Sequence, residues 1–139
     1  MNGMVRLLKL LSDATRLRVL LLIERRELCV CQIMGVMGVS QPLISRNLSL
    51  LSRSGLIIER KEGKLVFYSL NQEMPEPCRK LIDLLKDLAE GDTTFSGDIT
   101  SLAECEEFQK EIGKCDMKTF REFMKRRSEK MTKRARKRN

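Results

Sequence analysis

Residues 28–53 read LCVCQIMGVMGVSQPLISRNLSLLSR. A short apolar segment with two cysteines is followed by a glycine-punctuated turn at Gly38 and then by a second amphipathic segment. Ser40 suits an N-cap, because its hydroxyl can accept from an unpaired first-turn amide, and Pro42 removes only an amide that would be unpaired anyway. Ile44, Leu48 and Leu51 recur at helical spacing on one face, while Gln41, Ser45 and Ser49, flanked by Arg46 and Arg53, occupy the other. Gly55 falls where a helix often ends in the left-handed region, and Gly38 allows the positive torsion that a tight inter-helix turn needs. The stretch has the outline of a helix-turn-helix.

The residues immediately downstream sharpen the reading. Residues 56–61 and 65–70 are two β-prone runs joined through Glu62-Gly63-Lys64, a hairpin with a glycine turn. A hairpin directly behind a helix-turn-helix is a wing, and Arg60, Lys61 and Lys64 lie where they can neutralise phosphates beside a groove. The outward side chains of the second helix are short, hydrogen-bonding and cationic, the types that meet base edges and phosphates in a major groove.

With residues 11–23, LSDATRLRVLLLI, upstream, the string from Glu27 through the hairpin resembles the ArsR/SmtB family of winged-helix, metal- or metalloid-sensing repressors. The resemblance covers residues 7–90. It implies a mainly α fold with a small β-hairpin wing, a winged helix-turn-helix homodimer in the cytoplasm that holds a palindromic double-stranded operator and releases it when an inducer binds. Glu27-Leu28-Cys29-Val30-Cys31 matches the thiol-site signature that arsenic- and antimony-sensing members carry on the first helix of the motif. Ser40, Gln41, Ser45 and Arg46 match the recognition-helix pattern, and Ser49 completes the DNA-facing set together with Asn47, which stands where such members usually have His. Gln32 replaces a usual Asp, and Met34 stands where a third Cys can occur.

Composition agrees with this class. The 139 residues are 42% hydrophobic and 33% charged, enough for one compact core with a charged surface. No apolar run approaches the roughly 20 residues that span a bilayer, and the N-terminus lacks a cleavage pattern, so a cytoplasmic protein is expected. The net charge of +8 is unevenly spread: +5 over residues 1–74, −5 over 75–115 and +8 over 116–139. The winged-helix part is basic, as nucleic acid requires, and the middle is acidic. With no histidine and no phosphate-binding glycine loop, an enzyme is not expected. Upstream, Ser12 or Asp13 can cap a helix that resumes its apolar spacing from Arg16 to Ile23.

Five cysteines, an odd number, without secretory features favour reduced thiols. On a regular helix, side chains meet at spacings of three and four, so thiols at i and i+2 point apart. Collecting Cys29 and Cys31 on one ion therefore requires the helix start to distort, and that distortion is the expected switch. Soft thiolates select As(III) or Sb(III), with Cd, Pb, Zn and Cu(I) as alternatives, and the absence of histidine excludes His-ligated zinc or nickel sites. A third thiolate for As(III) is open between Cys105 and Cys115, with Cys78 read as structural and an external thiol as another source. A thiol redox or sulfane-sulfur sensor on the same fold is the alternative from another class, and would use Cys29 and Cys31, or Cys105 and Cys115, without metal.

Further along the chain, a helix reads from about Cys78, behind Pro75 and Pro77, to about Leu88, and in the family the corresponding helix builds the dimer interface. The polar stretch GDTTFSGDITS, residues 91–101, reads as a linker, and residues 102–139 as a helical extension of two helices. Residues 1–90 are thus the DNA-binding and dimerisation domain. The basic run at 125–138 is expected to be a mobile tail, with phosphate contact as its second reading.

Overall fold

The computed structural model describes residues 1–112 and 117–138. Helices α1 (Asn2–Leu11) and α2 (Ala14–Arg25) lead into a two-residue strand β1 (Leu28–Cys29), then α3 (Val30–Met37) and α4 (Gln41–Arg53). Strands β2 (Ile57–Glu62) and β3 (Leu65–Leu70) come next, and then α5 (Glu76–Ala89), α6 (Thr93–Ile112) and α7 (Met117–Arg138). Asp13 caps α2 by accepting the Arg16 amide at 2.9 Å. Ser40 is the N-cap of α4 by position, but its hydroxyl makes no capping hydrogen bond; Pro42 is in the first turn, and Gly38 and Gly55 take positive φ values of 65° and 84°.

The helix-turn-helix is locked from behind. Ile44, Leu48 and Leu51 of α4 are fully buried with Val19, Leu20 and Leu22 of α2 and Ile33 of α3. Each such side chain contributes about 1.5–3 kcal/mol by leaving water, so α4 is held against α2 and α3 by its apolar stripe. The wing is a three-stranded antiparallel sheet of order β1-β3-β2, one strand more than the hairpin expected from sequence. Leu28 pairs with Tyr68 and Cys29 with Phe67, so the sheet reaches the first cysteine.

Two expectations for the C-terminal part are not met. Residues 93–101 are not a linker: they are the first half of α6, capped by Asp92, whose carboxylate accepts the Phe95 amide at 3.0 Å. Low helix propensity here is overridden by tertiary contacts. Asp98 is buried and takes a two-pronged ion pair from Arg18 of α2 (2.7 and 2.9 Å), and Ser101 and Leu102 are buried beside it. That pair raises the Arg18 pKa, chiefly through the Asp98 hydrogen bond. The basic run expected as a mobile tail continues as helix to Arg138, because α7 is pinned to the domain at Phe123 and Arg127. Both α6 and α7 pack on α3.

Candidate nucleic-acid interface and thiol site

Ser40, Gln41, Ser45, Arg46 and Ser49 are all exposed on α4, on the face opposite its buried stripe. Lys61 and Lys64 are exposed on the wing. Asn47 does not belong with them. It is 4% exposed, its amide donates to the Leu43 carbonyl (3.0 Å) and its carbonyl accepts from Arg16 (3.2 Å), so both polar ends are used inside the fold. Asn47 fastens α4 to α2 and has no face for a base. The signal was its position three residues after Ile44 and one before Leu48, on the edge of the apolar stripe.

Arg60 is exposed but engaged. Its guanidinium pairs with Glu27 (2.6 Å) and Glu62 (2.8 Å) and lies 4.8 Å from the centre of the Phe67 ring. Hydrogen bonds to Glu27 and then Glu62 raise the Arg60 pKa, and Arg60 holds the Glu27 carboxyl below its usual range. A phosphate reaching Arg60 competes with two carboxylates already there.

The thiol pair departs from the geometry expected of two positions on one helix. Cys29 lies outside α3, as its N-cap, with extended backbone (φ −95°, ψ 168°), and Cys31 is in the first turn. The pair straddles a strand-to-helix transition, where successive side chains are not bound to helical directions. The Cys29 amide donates to Oε1 of Gln32 at 2.9 Å while the Cys29 side chain faces the Gln32 amide, a capping box with sulfur in place of the usual hydroxyl. Gln32 in turn donates through Nε2 to Gln109 of α6 at 2.9 Å. Cys29 and Cys31 are 1% and 5% exposed.

Of the two candidate third thiols, Cys105 lies on α6 and is 1% exposed, while Cys115 lies outside the described residues. Cys105 is one helical turn before Gln109, and its neighbour Glu106 pairs with Arg26, three residues before Cys29. These contacts bracket Cys105 over the entrance to α3. Burial pushes its pKa up to about 12, and the charge on Cys29 adds to the rise. Cys78 is half-buried on α5 against the core, and Met34 packs there as well. The donor chemistry suits a soft ion, since the acceptors gathered at the α3 entrance are sulfur and the chain has no histidine. Among the described residues, no three Cys, Asp or Glu side chains already form a metal-holding group. Arg127, which sequence reasoning left in the tail, donates from α7 to the carbonyls of Gly35 (3.0 Å) and Val36 (2.7 Å) at the far end of α3.

Residues 13–59 match the model of the bacterial regulatory protein, arsR family. The arsenical resistance operon repressor of Escherichia coli (strain K12) is 48% identical over 80 residues, covering 57% of this chain and 68% of that protein. The chain belongs to the ArsR family. The arsenic resistance transcriptional regulator ArsR2 of Pseudomonas putida KT2440 is 43% identical over 77 residues, 55% of this chain and 67% of its own. Among solved structures, reduced HlyU from Vibrio cholerae matches with a TM-score of 0.55 at 28% identity, covering 66% of this chain and 90% of that one. Membership makes this ArsR-family chain a winged helix-turn-helix, DNA-binding transcriptional regulator and not an enzyme. No helix among its described residues is long and apolar enough to cross a membrane.

Proposed function

We propose that this ArsR-family chain is a homodimeric repressor that holds its operator through α4 and the wing and leaves it when thiolates at the α3 entrance bind a thiophilic ion, with arsenite or antimonite as the natural inducer. The observation that carries this reading is the position of Cys29 and Cys31. They are buried where β1 turns into α3, the first helix of the helix-turn-helix. The arsenic-resistance roles of the Escherichia coli and Pseudomonas putida relatives support the choice of metalloid. A cadmium resistance regulatory protein CadC homolog of Staphylococcus aureus, 42% identical over 66 residues, keeps Cd as the alternative inducer.

The switch lies in the cap of α3. Cys29 holds that cap with Gln32, and a thiolate drawn to a shared ion gives up that role. Cys31, one position inside the helix, has to turn toward it, so the first turn of α3 loosens. Cys105, bracketed over the same entrance, supplies the third sulfur that As(III) prefers. An inducer that binds the loosened form about 100-fold better shifts the equilibrium by about 2.7 kcal/mol, sufficient to empty an operator held by a modest margin. Ser40, Gln41, Ser45, Arg46 and Ser49 read the groove, and Lys61 and Lys64 meet phosphate. The homodimer forms through the apolar side chains that α1 and α5 leave exposed, among them Met4, Val5, Leu8, Leu84 and Leu88.

The test is fluorescence anisotropy of the reduced protein on the duplex upstream of its own gene, titrated with arsenite, antimonite and Cd. Wild type is expected to bind and be released, the Cys29→Ser/Cys31→Ser variant to bind equally and stay bound, and Cys105→Ser to need at least roughly tenfold more arsenite, since loss of one of three thiolates costs about 1.4 kcal/mol or more of ion binding. Release of the double variant at the wild-type concentration would sink the assignment of the sensor. A wild type released by none of the three ions would sink metal response itself.

A further inference from the structure

The direction of α7 relative to α3 has a consequence for DNA. Phe123 of α7 stacks on Phe108 of α6 with ring centres 5.3 Å apart, and the next α6 residue, Gln109, bonds Gln32 in the first turn of α3. One turn further along α7, Arg127 reaches the carbonyls of Gly35 and Val36. Met124, Arg127 and Ser128 together line a cleft with Gly35, Met37 and Gly38 at the turn itself. Rising residue number on α7 thus tracks α3 from its entrance toward the α3–α4 turn. The helix does not stop there. It continues to Arg138, roughly 15 Å further at about 1.5 Å per residue.

The α3–α4 turn delivers Ser40 and Gln41, the exposed start of the recognition helix. The part of α7 that overshoots Ser128 starts out from that turn. The overshoot is strongly basic: residues 128–138 hold six Lys or Arg and one acidic residue, Glu129. Lys130, Lys133 and Arg136 are exposed on successive turns, and no salt bridge among the described residues engages them. By contrast Arg126, just before, is occupied by Glu111 and the Phe108 ring, and Arg127 by α3. Lys130 borders a cleft with Glu104, Glu107 and Glu111 of α6 without a salt bridge to them, and Lys133 and Arg136 lie beyond it.

We infer that the C-terminal half of α7 is a second DNA-contacting element, laying Lys130, Lys133 and Arg136 on phosphates beside the groove that α4 enters. The element reads charge and not sequence, because contacts of Lys or Arg to phosphate oxygens position the protein without distinguishing bases. It rests on DNA binding by α4 and the wing, and adds affinity to any duplex that those elements occupy.

The experiment is the salt dependence of binding by the full chain, on the upstream duplex and on a scrambled duplex of equal length. Two variants are compared with wild type: Lys130→Gln/Lys133→Gln/Arg136→Gln, and a control with the same charge change on α1, α5 and α6, Lys9→Gln/Lys80→Gln/Lys110→Gln. Each lost phosphate contact flattens the slope of log K against log salt by about 0.9, so the α7 variant should lose up to about 2.7 per protomer and about 5.4 for the dimer. The loss should be proportionate on both duplexes, with discrimination between them unchanged and the control slope close to wild type. An α7 variant with the wild-type slope, or a control that loses as much, overturns the inference while leaving the repressor reading intact. A wild type that binds neither duplex overturns both.

Discussion

The two ends of α3 are held by different chemistry. At the exit, Gly38 closes the helix in the left-handed region, its amide donating to Met34 at 2.8 Å, and Arg127 covers the carbonyls of Gly35 and Val36. At the entrance, the cap is a cysteine, braced by Gln32 and by Gln109 of α6. A soft ion does not contest N–H···O bonds, but it does contest sulfur. In the proposed reading, an eight-residue helix about 12 Å long therefore has one end that a thiophilic ligand would loosen and one end that it would not. Position along a single helix would then separate sensing from transmission, because the end held by Arg127 carries the turn into α4.

The contrast can be broken most forcefully at the exit. Arg127→Ala removes two charge-assisted hydrogen bonds from a part-buried site and is expected to cost about 2–3 kcal/mol in urea unfolding. Arg127→Lys should fall between. Neither should move the arsenite concentration that releases DNA. A shift in that midpoint without a change in stability would mean that the exit takes part in sensing.

Gln32→Ala acts at the entrance, with a smaller loss of about 1–2 kcal/mol, since it leaves the buried Cys29 amide without its side-chain acceptor. Its distinguishing effect is on induction. With the cap already weakened, less ligand energy is needed to open the first turn, so release should occur at several-fold lower arsenite. An unchanged or higher midpoint would separate the cap from the switch.

The smallest effect is expected from Glu27→Gln, which removes one of the two carboxylates on Arg60 without touching α3 packing. Arg60 holds the folded-state pKa of Glu27 below its unfolded value, so the contribution of the pair is present above about pH 4.3 and is lost as pH falls through the lowered folded value. The difference in Tm between wild type and variant should thus be slight near neutral pH, since the pair is exposed, and should close as acid protonates the carboxyl. A gap that widens on acidification reverses the sign of this linkage. Near neutral pH and at low salt the variant should bind DNA slightly more tightly, with one carboxylate instead of two competing with phosphate for Arg60.

Much of this architecture is set by neighbouring residues. Ser40 with Pro42, the Ile44-Leu48-Leu51 stripe, the glycines at 38, 55 and 63, and the β-prone wing strands are local signals, governed by caps, helical period and permitted torsions. They placed α4 and its outward side chains, and the family resemblance carried by the ELCVC signature placed the thiols near the motif. Long-range contacts decided what those signals could not. Asn47 looked like a surface residue of a recognition helix until Arg16, 31 residues earlier, claimed its carbonyl. Residues 93–101 carry loop-like composition, yet Arg18 draws Asp98 into the core and the segment is helix. The sequence left the third thiol open between Cys105 and Cys115, and the docking of α6 brings Cys105 toward Cys29. Caps, turns and amphipathic stripes are energies between residues a few positions apart, and so are written in the order of the chain. Which thiols meet, and which cations remain for DNA, depends on contacts spanning 80 or 92 residues, and those exist only once the helices have packed.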